Sequence, residues 1–111
     1  MRTVEEFTKI VEEENNGYTE MLLKLDPTTL INRAWEIAKW QSIYDYIMGK
    51  VAPYSKYEEG VFKDFTTLEI YNPIATIWEY ESHYDEPMWA TWDGLDDVIY
   101  DLVKEIKNQN N

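Results

Sequence analysis

Hydrophobic side chains recur at helical spacing along most of the chain, and the most regular run closes it. This run follows the i, i+3, i+4, i+7 pattern of an amphipathic helix at Leu95, Val98, Ile99, Leu102, Val103 and Ile106. Asp93 is placed to cap the helix, and Asp96 and Asp97 lie in its first turn, where the helix dipole favours anions. The pattern predicts a closing helix with one apolar face.

Two helices are predicted before the first proline. Thr3 and Glu6 form a capping-box signature, and apolar residues then recur at every third or fourth position. The Asn-Asn-Gly sequence at residues 15–17 should end this first helix near Glu14. A second, short helix should span residues 18–25.

The longest predicted helix spans residues 27–48. An Asp-Pro pair opens it, because Asp is a favoured N-cap and proline suits the first helical position. Gly49 is placed to end it in the left-handed conformation. Apolar residues, including Trp35 and Trp40, cover much of its circumference, so it should pack on more than one side or present a face to a partner.

The middle of the chain is less regular. Residues 51–60 contain proline, glycine and tyrosine and predict a loop, whereas residues 61–71 favour a helix. An Asn-Pro pair then opens a helix over residues 72–83. Aromatic and acidic residues alternate in the same stretch, which also fits a strand, so a small hairpin near residues 66–84 is the alternative.

An aromatic loop is predicted at residues 85–92. It surrounds Pro87 and displays Met88, Trp89 and Trp92. Tryptophan and methionine are enriched at the cores of protein interfaces, so these side chains are candidate anchors for a partner. The alternative is that they fold back over the helices.

These elements predict an all-α fold, a compact bundle of five or six helices. A single helical domain should span residues 1–107, and residues 108–111 should form a disordered tail. The alternative is an α+β fold with the small hairpin.

The chain is strongly acidic. Its 10 basic and 22 acidic residues give 111 residues a net charge of −12, with a pI near 4.3. Such a charge repels nucleic acid and anionic membranes and attracts basic partners. There is no cysteine, no apolar run long enough to cross a bilayer and no signal-peptide pattern, which predicts a cytoplasmic protein.

The acidic residues concentrate in residues 64–103, a stretch without Lys or Arg. Near its end, Asp97, Asp101 and Glu105 repeat at four-residue spacing, so their carboxylates should follow one another at ~6 Å steps, as phosphates do along a nucleic-acid strand. The alternative is the solvated face of an ordinary amphipathic helix. The predicted partner-binding residues are Glu79, Glu81, Asp85, Glu86, Trp89, Trp92, Asp93, Asp96, Asp97, Asp101 and Glu105.

No catalytic or cofactor site is predicted. His83 is the only histidine, no serine lies in a nucleophile elbow, and no glycine-rich phosphate loop is present. A metal site would have to join His83 with Glu79 and with Asp85 or Glu86, and no second histidine or cysteine supports it. We therefore expect a protein that is not an enzyme and that uses neither metal nor cofactor.

Two segments resemble parts of a short uncharacterised domain of Firmicutes mobile elements. They are INRAWEI at residues 31–37 and VFKDF at residues 61–65, and the resemblance ends after Tyr71. It implies an accessory protein of a phage or conjugative element, acting in the cytoplasm of a bacterial host cell. Small acidic inhibitors of host defence are frequent in that class. In size and charge the chain is similar to anti-CRISPR proteins that mimic DNA.

Two functions are open at this point. The first is an acidic inhibitor that occupies a basic nucleic-acid-binding cleft of a larger enzyme, such as a CRISPR effector nuclease, and that itself binds neither nucleic acid nor membrane. The second is a structural or homo-oligomerisation domain with no inhibitory role. In that case the apolar face of the long helix would pack against a second copy and bury Trp35 or Trp40.

Overall fold

The computed structural model describes residues 3–51 and 61–109. These residues form six helices and one short 3₁₀ turn, and no strand occurs among them. The elements are α1 (Val4–Leu23), α2 (Pro27–Asn32), α3 (Ala34–Val51), α4 (Val61–Thr67), α5 (Pro73–Glu81), the 3₁₀ turn (Met88–Ala90) and α6 (Trp92–Gln109). The predicted all-α bundle is confirmed, and the alternative hairpin near residues 66–84 is wrong because that stretch contains the end of α4 and all of α5 and no strand. The loop predicted at residues 51–60 lies, except for its first residue, outside the described residues.

Two predicted helix starts are present with their hydrogen bonds. At α1, the Glu6 N–H donates to Thr3 Oγ1 at 3.1 Å, and the Thr3 N–H donates to the Glu6 carboxylate at 3.3 Å. At α2, the Thr29 N–H donates to Asp26 Oδ1 at 2.8 Å. Both caps depend only on residues three positions apart, so the sequence is sufficient to predict them.

Helix α1 continues through Asn15 and Gly17, where the sequence predicts its end. Asn15 has a distant partner, because the indole N–H of Trp40 donates to its Oδ1 at 3.0 Å. The ring of Tyr18 stacks on the same indole, with centroids 4.1 Å apart. These tertiary contacts outweigh the weak helix propensity of Asn and Gly. The separate helix predicted at residues 18–25 is therefore wrong, and most of that segment belongs to α1.

The helix predicted at residues 27–48 is divided at Arg33 into α2 and α3. The Arg33 N–H donates to the carbonyls of both Thr29 and Leu30, at 3.1 and 3.2 Å. Such a shared bond tightens the last turn of a helix toward 3₁₀ geometry and ends it. None of the side chains of α2 is buried.

Gly49 does not end a helix. It lies inside α3, and no glycine in the described part of the chain has a left-handed backbone, so the predicted cap is wrong. A Cβ at this position would clash with the ring of Trp92. Gly49 therefore allows the Trp92 indole to approach α3 closely.

Helix α6 begins at Trp92, two residues earlier than a cap at Asp93 predicts. The Gly94 N–H donates to Thr91 Oγ1 at 3.0 Å, so Thr91 is the N-cap and Asp93 lies in the first turn. The predicted apolar face is confirmed, since its first five positions are buried. Residues 108–109, predicted as the start of a disordered tail, are helical, and residues 110–111 lie outside the described part.

The core lies between α6 and the helices α1, α3, α4 and α5. Helix α6 packs against α4, α5 and the 3₁₀ turn, and α1 packs against α3, α4 and α5. The buried hydrophobic residues are Phe7, Val11, Ile43, Tyr46, Ile47, Phe62, Phe65, Ile74, Ile77, Leu95, Val98, Ile99, Leu102 and Val103. This arrangement leaves the polar side of α6 facing solvent.

Candidate protein-binding surface

Four acidic residues of α6 are exposed at successive four-residue intervals and form what we call the acidic face: Asp93, Asp97, Asp101 and Glu105. Four residues of an α-helix rise by ~6 Å and return to nearly the same side. No Lys, Arg or His of the described segments forms an ion pair with any of the four. The acidic face is therefore not neutralised by its own protein there.

Two tyrosines position the second half of the acidic face. The Tyr84 hydroxyl donates to Asp101 Oδ2 at 2.5 Å, and Tyr80 lies beside Glu105 in the same groove. Desolvation, aided by these carboxylates, raises the pKa of Tyr80 to about 12 and also raises the pKa of Tyr84. Both phenols therefore stay protonated at neutral pH, and Tyr84 holds the Asp101 carboxylate in place.

A surface groove of about 460 Å³ lies between α5 and α6, lined by Tyr80, His83, Tyr84, Asp101 and Glu105. Glu79 stands beside it, with its Oε1 4.0 Å from His83 Nε2, and both side chains are exposed. Asp85 and Glu86 are exposed in the segment that follows α5. The structure thus brings most of the predicted acidic residues to α6 and the adjoining end of α5.

Asp96 has a structural partner on α3. Its Oδ1 accepts a hydrogen bond from the Tyr46 hydroxyl at 2.6 Å and lies 3.0 Å from Lys50 Nζ. Burial, together with Asp96, raises the pKa of Tyr46 well above its usual value. Asp96 is half-exposed but already paired, so it fastens α6 to α3 and adds little free charge to the surface.

Glu81 is buried, so its predicted place on the partner-binding surface is wrong. Its Oε1 lies 2.6 Å from Lys39 Nζ, and the two side chains are only 4% and 5% exposed. Its Oε2 accepts a hydrogen bond from the Trp89 N–H at 3.2 Å. Ser42 Oγ donates to the Trp89 carbonyl at 2.7 Å. The buried ion pair and this serine therefore hold the 3₁₀ turn that leads into α6.

The two predicted tryptophan anchors differ in exposure. Trp89 is half-buried and packs against the core, which makes it a poor anchor. Trp92 is 50% exposed. Its ring meets Tyr46 edge to face at 5.8 Å and lies over Gly49. Trp92 therefore remains available to a partner, and it adjoins the first residue of the acidic face.

A second aromatic group, not predicted as a unit, links three helices. The ring of Trp78 lies 6.2 Å from that of Trp35 and 6.5 Å from that of Trp40, which in turn stacks on Tyr18. Lys39 Nζ lies 4.3 Å from the Trp78 ring centroid. The sequence marks Trp35 and Trp40 on one apolar helix, but their partners come from α1 and α5 and require the tertiary structure.

Within residues 3–51 and 61–109, no three His, Cys, Asp or Glu side chains are grouped to hold a metal ion. None of the described helices combines the length and hydropathy needed to cross a bilayer. Comparisons with known protein families, curated proteins and solved structures find no significant match. The function must therefore be argued from this surface alone.

Proposed function

We propose that this protein is an acidic inhibitor that occupies a basic nucleic-acid-binding cleft of a larger enzyme, by imitating the charge of a nucleic-acid strand. The host would be a bacterial cell, and a CRISPR effector nuclease is the kind of enzyme we would test first. Neither nucleic acid nor a membrane is a direct partner, because the net charge of −12 repels both.

The observation that carries this proposal is the uncompensated acidic face. Asp96 and Glu81 are paired with lysines of α3, whereas Asp93, Asp97, Asp101 and Glu105 have no cationic partner among the described residues. Like charges at four-residue spacing cost a few tenths of a kcal/mol per pair. A basic cleft would remove that repulsion and supply the missing counter-charges.

Hydrogen bonds strengthen the argument. Tyr84 holds Asp101 before any partner arrives, so less side-chain entropy is lost on binding. Trp92, half-exposed beside Asp93, supplies an apolar contact at the start of the same helix. Preformed charge with one aromatic anchor is a suitable arrangement for a rigid competitor of nucleic acid.

The test is competition with DNA for a guide-loaded CRISPR effector nuclease, followed by fluorescence polarisation of a labelled duplex. The wild type should displace the duplex, and Asp97→Lys/Asp101→Lys should weaken displacement by at least about tenfold, or ~1.4 kcal/mol. Glu12→Lys/Glu13→Lys is the matched control, because it makes the same charge change at exposed positions of α1.

Circular dichroism should show that all three proteins are folded. Displacement should also weaken steeply as salt is added, because charge complementarity is screened. If both double variants displaced the duplex equally poorly, binding would depend on net charge and not on the acidic face, which would contradict the proposal. Displacement that does not respond to salt would contradict the proposal.

A further inference from the structure

Large apolar side chains are exposed where α1 ends and the chain continues into α2 and α3. Leu23 is 80% exposed, Ile31 74% and Trp35 59%, and Met21 is also exposed. We call these four residues the apolar end. Leu23 and Ile31 are separated by one short turn, and Ile31 and Trp35 lie on either side of the α2–α3 junction, so they follow each other along one stretch of chain.

Helix α2 is poorly supported by the rest of the protein. It has six residues, none of them buried, and its main packing contact is with α3, the helix that directly follows it. So short a helix has little stability of its own in water, and helices in proteins usually depend on packing one face. In α2 only Thr29 and Leu30 are half-buried, and the neighbouring Ile31 is exposed to solvent.

The charge around the apolar end differs from that of the rest of the chain. Lys24 and Arg33 are exposed and form no ion pair with a described residue, and Glu20 and Glu36 lie in the same stretch. Burial and the charge of Glu36 raise the pKa of Tyr18, whereas the charge of Arg33 lowers it. These opposite charges therefore both lie near α1. This region therefore presents both signs, whereas the acidic face presents only one.

We propose that the apolar end binds a second copy of this chain in a two-fold symmetric dimer. Such an interface brings the same patch together from both copies, so the patch must be complementary to itself. An apolar centre flanked by cations and anions satisfies that condition. A basic partner, which the acidic face would attract, fits this end poorly because Lys24 and Arg33 would repel it.

The proposed interface is separate from the acidic face. Helix α6 packs mainly on α3, α4, α5 and the 3₁₀ turn, whereas α2 packs mainly on α3. A dimer formed through α2 would leave both copies of the acidic face open, so it would be bivalent toward a partner with two basic sites. The dimer does not depend on the proposed inhibitory function, and either proposal can fail alone.

The interface must be large enough for a specific dimer. A stable interface buries about 800 Å² on each partner, which is about a tenth of the 7217 Å² surface of this chain. Such an interface takes about 20–30 residues from each partner, so the six residues of α2 do not suffice and the start of α3 must be covered as well. Because only four large apolar side chains would lie at its centre, we expect a dimer that dissociates at about micromolar concentration.

The test is sedimentation equilibrium of the full chain at concentrations from about 1 to 200 µM. The wild-type mass should rise from the monomer value of 13.3 kDa toward twice that value. Ile31→Glu should remain monomeric throughout, and Leu23→Glu should do the same. Both side chains are exposed in the monomer, so neither change disturbs its core.

Tyr71→Glu is the matched control, because it adds the same charge at an exposed aromatic residue outside the apolar end. It should dimerise as the wild type does. Between about 50 and 300 mM salt, partner binding at the acidic face should weaken, because salt screens its charge complementarity.

A charge exchange gives a second, sharper test. Lys24→Glu/Arg33→Glu and Glu20→Lys/Glu36→Lys should each be monomeric, and their equimolar mixture should form a heterodimer. A wild type that stays monomeric at the highest concentration would overturn the proposal. So would an Ile31→Glu variant that dimerises like the wild type, or a mixture that remains monomeric.

Discussion

The buried ion pair between Lys39 and Glu81 is the most sensitive test of the fold. Replacing Glu81 with Gln keeps the size and one acceptor oxygen but removes the charge that faces Lys39 Nζ at 2.6 Å. The lysine would keep only the Trp78 carbonyl at 3.4 Å and the Trp78 ring at 4.3 Å. Neither is a full counter-charge, so the variant leaves a cation buried without compensation.

The expected cost can be stated in advance. Breaking a buried ion pair by removing one partner costs about 3–5 kcal/mol. The whole stability of a domain is about 5–15 kcal/mol, so Glu81→Gln should remove a large part of it. In the wild type the Trp89 N–H donates to Glu81 Oε2. The amide oxygen of the new glutamine can accept this bond only if it turns away from Lys39.

Urea unfolding followed by circular dichroism measures this cost. Glu81→Gln should lower the transition midpoint with an unchanged m-value. The double variant Lys39→Met/Glu81→Met should recover most of the loss, because two apolar side chains replace the pair. A remainder of about 1–3 kcal/mol is expected from the unsatisfied Trp89 N–H. A Glu81→Gln loss below ~1 kcal/mol, or a double variant less stable than the single one, would refute this reasoning.

Glycine and Glu14 substitutions test local features by thermal melting. An added Cβ at Gly17, inside α1, meets nothing within 4 Å, so Gly17→Ala should stabilise by about 1 kcal/mol. A Cβ added at Gly94 would clash with the Met88 carbonyl, so Gly94→Ala should destabilise the protein by about 1–3 kcal/mol. A melting point higher for Gly94→Ala than for Gly17→Ala would contradict the packing. The Glu14 carboxylate accepts the first N–H groups of α5 at 2.7 and 2.9 Å, and desolvation raises its pKa above 4.5 despite them. The folded state therefore binds the Glu14 proton more tightly than the unfolded state does. The stability of the wild type relative to Glu14→Gln should be highest below pH 4.5 and should fall as the pH rises through the raised pKa. The opposite trend would contradict the raised pKa of Glu14.

Short-range patterns in the sequence predicted part of the fold. The apolar face of α6 depends on residues within one helix, and the caps at Thr3 and Asp26 depend on residues three positions away. The end predicted for α1 was wrong because Asn15 is paired with Trp40, from α3. No pattern near residue 15 indicates that contact.

The same distinction applies to the candidate surface. The four-residue repeat from Asp97 to Glu105 is visible in the sequence because it follows one helix. The burial of Glu81 is not visible, since its partner Lys39 lies on another helix. The sequence predicts Asp93 as the N-cap of α6, but Thr91 caps this helix. Asp93 lies in the first turn, where its only structural contribution is its charge near the helix N-terminus.

Neighbouring residues of α6 show what folding requires and what it does not. Asp96 is used by the fold, because Tyr46 and Lys50 bind it from α3. Asp97, the next residue, is exposed, has no described cationic partner and lies one turn from two further carboxylates. Its charge costs helix stability and is not needed for solubility, since a chain with a net charge of −12 would remain highly charged without it. Burial and pairing leave Asp97 without a structural reason, and a basic partner would give it one.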